Sequence, residues 1–160
     1  MTDLSHVDTA GRARMVDVSA KDDTIRNARA AGAIRMSPNT LEAIRSNQLE
    51  KGDVIAVARV AGVMAAKRTP EIIPLCHPVM LHDIGVEFVL DDALPGIRVE
   101  TSARSSGKTG VEMEALTAAA AALLTIYDMA KAIDREMTIV EVMLLEKSGG
   151  RSGDWVRGIK

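Results

Sequence analysis

The stretch IGVEFVLDDALPGIRVETSA, residues 84–103, decides the fold of this chain. Ile84, Val86, Phe88 and Leu90 recur at every second position, the period of a strand with one buried face. Asp91, Pro95 and Gly96 supply turn chemistry, after which Ile97, Val99, Thr101 and Ala103 resume the alternation. Two such runs joined by a short turn predict a hairpin. Upstream, over residues 25–36, Ala28, Ala30, Ile34 and Met36 alternate with Asn27, Arg29 and Arg35, which predicts a third strand with Arg26 on its apolar parity. Ser37 with Pro38 behind it reads as the start of a helix. A turn at Gly52 leads to a second helix capped by Asp53, with Val54, Val57, Ala58, Ala61 and Ala65 as its buried stripe.

Downstream, residues 111–133 read as a long alanine-rich helix and 138–145 as a last strand, followed by a glycine-rich tail at 148–153 with Trp155 beyond it. Strand, helices, two strands, helix, strand predicts an α+β fold, a ferredoxin-like antiparallel sheet with helices on one face. Pro70, Pro74 and Pro78 remove amide donors and push the preceding residues away from helical angles, so 69–79 is expected to be an extended, stiff loop carrying Cys76 and His77. Residues 1–14 are polar and without period, a flexible arm. Residues 15–160 are expected to form a single domain without internal repeats.

Composition narrows the partners. Hydrophobic residues make up 47% of the chain but aromatics only 2%, so the core must come from Ala, Val, Ile, Leu and nine Met. Side chains that small bury little area each, and stability is expected to lean on subunit contacts. A net charge of -2 and so few aromatic rings give neither the basic field nor the stacking platforms of a nucleic-acid binder. Cys76 is the only cysteine, which leaves no internal disulfide, and no apolar run opens the chain; the expected location is the cytoplasm. The apolar run at 115–127 is broken by Thr117 and Thr125 and falls short of the roughly 20 residues that span a bilayer, so no membrane partner is expected.

Several residues could carry chemistry. Lys51, Lys67, Lys108, Lys131 and Lys147 stand at element ends and could converge on a triphosphate, although exposed lysines are commonly just solvated. Asp128 and Lys131 are one helical turn apart. They are either a plain surface ion pair or a partly buried pair poised for proton transfer, and the second is the expectation. Glu112 fits a capping box with Thr109 as well as it fits a ligand contact. Glu114 points about 200° away from Glu112 on a helix, so one of the two is free for ligand. His77 and His82 lack the spacing of a zinc site, and no metal is expected. Cys76 beside His77 invites a thiol nucleophile, but neighbours on an extended segment face opposite ways. Gly107-Lys108-Thr109 imitates the end of a phosphate-binding loop, yet Ser102 stands where that motif needs its first glycine.

Four segments carry a resemblance over nearly the whole chain. They are MVDVS at 15–19, KRTPEIIPLCHP at 67–78, GKTGVEMEALT at 107–117 and LEKSGG at 145–150. In these the chain resembles the cyclic pyranopterin monophosphate synthase family of molybdenum cofactor biosynthesis. The resemblance implies a lyase-type ring rearrangement without a cofactor. A cyclised GTP derivative made by an upstream radical enzyme, 3',8-cyclo-7,8-dihydroguanosine triphosphate, becomes cyclic pyranopterin monophosphate with release of pyrophosphate. It implies Asp128 as the assigned catalytic residue and Lys51 and Lys131 in acid/base steps. Leu75, Cys76, His77, Met113 and Glu114 would line the substrate site, and with them we place Glu112, Lys67 and Lys147. It also implies a homohexamer, a trimer of dimers with sites at subunit boundaries. The chain departs from the family pattern at Ala130 and Arg151, which touch packing and conserve charge respectively. Two other readings compete: a nucleoside-triphosphate hydrolase built on the Gly107 turn, and a non-catalytic ferredoxin-like ligand sensor or scaffold.

Overall fold

The computed structural model describes residues 10–158. Its elements are β1 (Thr24–Arg35), α1 (Pro38–Arg45), α2 (Val54–Lys67), α3 (Thr69–Ile72), β2 (Leu81–Asp91), β3 (Gly96–Gly107), α4 (Glu112–Ala130), β4 (Thr138–Ser148) and β5 (Trp155–Val156). The strands form one sheet in the order β2-β3-β1-β4-β5, with every pairing antiparallel. The first four strands carry the ferredoxin-like order expected from sequence, and α2 and α4 cover one face. The proposed arm at residues 1–14 lies mostly outside the described residues.

The hairpin forms as read: Phe88 pairs with Val99 and Leu90 with Ile97. Asp91 Oδ1 accepts from the Ala93 and Leu94 amides at 2.9 and 3.1 Å and fixes its turn. β1 lies between β3 and β4, so its small residues face α4 closely. Ala28 and Ala30 are buried in one cluster with Ala115, and Ile34 in a second with Ala119, Ala122, Leu123 and Ile126. Alanine on both sides is what brings this helix onto the sheet. Ser37 caps α1 by accepting from the Thr40 amide at 3.2 Å, and Asp53 caps α2 by accepting from the Ala56 amide at 2.9 Å.

Four expectations are corrected. The buried stripe of α2 is Val54, Ala58, Gly62 and Ala66, while Val57 is 45% exposed and Ala61 and Ala65 are only half-buried. In a helix so rich in alanine and valine every face looks apolar, and contrast fails. Residues 69–72 are a short helix rather than extended chain, because Pro70 stands in its first turn, where no amide is needed. The Thr109–Glu112 capping box does not form; Val111 is the N-cap of α4, without a side-chain bond. Finally, α4 is long and apolar enough to cross a membrane by length and composition, but its buried residues carry the core of this domain. The tail also adds a strand the sequence did not reveal, β5, paired to Glu146 and Lys147.

Candidate active site

A pocket of about 750 Å³ opens at the amino end of α4. Leu75, Cys76, His77, Glu112, Met113 and Lys147, six of the residues placed at the substrate site from sequence, all line it. Charge separates it from the rest of the molecule. Lys21, Arg26, Lys108, Lys147 and Arg151 contribute five cations to its wall against the single carboxylate of Glu112, on a chain whose net charge is -2. Such an excess, beside a helix N-terminus with no side-chain cap, favours a multiply charged anion.

Each wall has a local cause. Arg26 sits on the buried face of β1, 8% exposed, where its Nε donates to Gly107 O at 3.2 Å and its Nη2 to Lys108 O at 3.2 Å. Lys147, at the end of β4, donates to Gly153 O at 2.7 Å and to Ser152 Oγ, which folds the glycine tail over the pocket. Residues 16–21 close another side. His77 Nε2 lies 2.8 Å from Val16 O, and Lys108 Nζ donates to Ser19 O at 2.7 Å.

Glu114 does not face this opening. It is 1% exposed, behind the Leu75–His77 segment, where Cys76 Sγ donates to its Oε1 at 3.6 Å while Oε2 has no partner. Burial raises its pKa, and the Cys76 contact opposes that rise. The thiol in turn is pushed up to about 11, first by burial and then by the neighbouring Glu114 charge. Cys76 is therefore a poor nucleophile at neutral pH. Of the two glutamates, Glu112 is the one open to ligand.

Asp128, Lys131 and Lys51 form a second cluster at the other end of α4. Lys131 Nζ donates to Asp128 Oδ1 at 2.6 Å, and Lys51 Nζ donates to Oδ2 at 3.0 Å and to the Asp128 carbonyl at 2.9 Å. The Lys131 hydrogen bond, followed by that of Lys51, lowers the Asp128 pKa to about 2. Contrary to expectation, these side chains are about half exposed in the single chain. Sixteen residues separate Glu112 from Asp128, about 24 Å along a helix, so one copy keeps its two clusters apart. Lys67, exposed at the end of α2, belongs to neither, and His82 is exposed and does not line the pocket that His77 lines.

Sequence reasoning missed Arg26, Lys21 and Arg151 as pocket residues. Only Arg26 carried a signal, a charged residue on an apolar parity. Its partners lie 81 and 82 positions away, beyond the reach of local pattern.

Comparison with known proteins bears on this geometry. A family model described as the MoaC family matches residues 15–150. The chain is similar to the cyclic pyranopterin monophosphate synthase of Roseiflexus sp. (strain RS-1), at 59% identity over 98% of this chain and 99% of the relative. It is equally similar to the protein of the same name from Brucella ovis (strain ATCC 25840 / 63/290 / NCTC 10512), at 59% identity over 95% of this chain and 92% of the relative.

Proposed function

The chain belongs to the MoaC family, and from that membership we propose that it is an enzyme of molybdenum cofactor biosynthesis, a cyclic pyranopterin monophosphate synthase acting as a lyase. Its substrate is the cyclised GTP derivative supplied by an upstream radical enzyme, and its products are cyclic pyranopterin monophosphate and pyrophosphate. The observation that carries this reading is the cationic pocket. Five cations facing one carboxylate suit a triphosphate and stabilise the charge that builds on a departing pyrophosphate.

Remaking a purine-derived ring into a pterin needs several proton transfers, and Asp128 with Lys51 and Lys131 is the acid/base set for them. Asp128 stays ionised at neutral pH and holds both ammonium groups at fixed positions. Lys147, with the turn after Gly107, holds phosphate, whereas the position of Lys67 gives it no such support. Because roughly 24 Å separate the clusters on α4, a working site needs the pocket of one copy and the Asp128 cluster of another. This supports a site at a subunit boundary; the homohexamer built as a trimer of dimers and the cytoplasmic location are what the family resemblance implies.

The test is to incubate the purified protein with the cyclised GTP intermediate and, in parallel, with GTP. Cyclic pyranopterin monophosphate and pyrophosphate should form from the intermediate alone. Hydrolysis of GTP to GDP would favour the hydrolase, and binding without product the sensor. The antiparallel sheet already weighs against the hydrolase, whose phosphate loop belongs to a parallel one.

A further inference from the structure

A planar ring entering this pocket meets no aromatic side chain. The chain holds one Phe, one Tyr and one Trp, and none of Phe88, Tyr127 and Trp155 lines the opening. What the wall offers instead is aliphatic: Leu75 and Met113 beside the helix start, and Val16 and Val18 from residues 16–21.

That segment differs from every other wall. Among the described residues no helix or strand precedes Thr24. Burial alternates along it: Val16, Val18 and Lys21 are half-buried and line the pocket, while Asp17, Ser19 and Ala20 are exposed on the outside. Local bonds keep its shape, the Ser19 amide donating to Asp17 Oδ1 at 2.9 Å and the Lys21 amide to Val18 O at 3.0 Å. Its hydrogen bonds to the rest of the fold, among the described residues, come from two side chains on different walls. His77 Nε2 lies 2.8 Å from Val16 O, and Lys108 Nζ 2.7 Å from Ser19 O. A carbonyl oxygen only accepts, so His77 Nε2 carries the hydrogen. A segment bonded to itself and fastened by two bonds that water can replace opens far more readily than any strand of the sheet.

We propose that residues 16–21 are a lid on this pocket, latched by His77 and Lys108, and that Val16 and Val18 on its inner face are specificity residues that cover the ligand's planar ring against Leu75 and Met113. The lid swings off to admit the ligand and closes on the ring, where the two valines replace water on one of its faces. Selection follows from what the lid touches. A ligand with a ring gains apolar contact from Val16 and Val18, and one made of phosphate alone gains none. The inference rests on the reading of the pocket as the place of a nucleotide-derived substrate and adds the part that chooses its ring.

Calorimetric titration with GTP and, separately, with inorganic tripolyphosphate tests the lid without any turnover. The double variant Val16→Ala/Val18→Ala, its fold checked by thermal melting, should bind GTP about five- to tenfold more weakly than wild type, the scale of lost methyl contacts, and tripolyphosphate as tightly as before. In the wild type, amide hydrogen exchange over residues 15–22 should slow by about tenfold with GTP and stay unchanged with tripolyphosphate. Equal weakening for both ligands, unchanged GTP affinity in the folded variant, no saturable GTP binding by the wild type, or exchange that ignores GTP overturns the proposal. Absence of product from the cyclised GTP intermediate, with the GTP-specific loss and protection intact, would instead refute the synthase reading and leave the lid standing.

Discussion

Asp128 and Cys76 show how environment sets the ionisation of side chains that sequence alone leaves open. A carboxylate with two ammonium partners is depressed to about 2 from its ordinary 3.8, so its folded-state advantage is fully present above the ordinary value and disappears as pH falls through about 2. The pH profile of turnover should therefore carry no acid-side inflection from Asp128 above pH 4. Asp128→Asn should lower kcat by at least about 100-fold at every pH, the scale of a lost acid/base group, while substrate affinity stays near wild type. Cys76 shifts the other way. With one cysteine in the chain its thiol can be titrated without ambiguity, and alkylation by iodoacetamide should be slow at pH 7 and rise with an inflection near 11. Glu114→Gln removes a negative neighbour, so the inflection should move down only part of the way, because burial is the larger cause and remains. An unchanged inflection would mean that the Glu114 charge does not reach the thiol.

Elements here are set by small residues, and that is where reading the sequence succeeded and failed. Period-two alternation in β1, β2 and β3 was legible because large apolar and charged residues contrast, as in Val99 against Arg98 and Glu100. The α2 stripe was not, since apart from Ile55, Arg59, Met64 and the terminal Lys67 the helix is alanine, glycine and valine; what buries Gly62 is the close crossing with α4, a tertiary fact. A Cβ at Gly62 would lie 3.1 Å from the Ala118 carbonyl and 3.2 Å from Val86 Cγ2. Gly62→Val should lower stability by about 1–3 kcal/mol, the usual penalty of overpacking, read as a lower urea midpoint with an unchanged slope. Gly107→Ala, where a Cβ meets nothing within 4 Å, should leave the midpoint nearly where it was. The candidate site divides in the same way. Segments quoted for the resemblance contained Leu75, Cys76, His77, Glu112, Met113 and Lys147, which do converge, but the facing of Glu114 away from the opening and the approach of Arg26 depend on contacts across the fold.

At the scale of the molecule, the helix α4 makes the decisive geometric demand. It carries the cationic pocket at one end and Asp128 with its lysines at the other, too far apart for one substrate to touch both within a single copy. Val57, Val60 and Met64 on α2 and Leu124 on α4 remain 45–59% exposed, apolar surface that a chain with so few large core residues would gain from covering. Both facts point to a second copy, and subunit mixing tests it. On the proposed mechanism, Asp128→Asn and Lys147→Ala each disable one half of the site. When the two are co-expressed with different tags, random pairing makes half of the dimers mixed, and in each mixed dimer one of two symmetric boundary sites has both halves intact. Activity should then recover to about a quarter of wild type per chain, against near-zero values for either parent. Sites completed within one chain would each carry a defect in every combination, and the mixture would be as inactive as its parents. The fraction recovered thus reports which copies share a site, independently of which proton Asp128 or its lysines move.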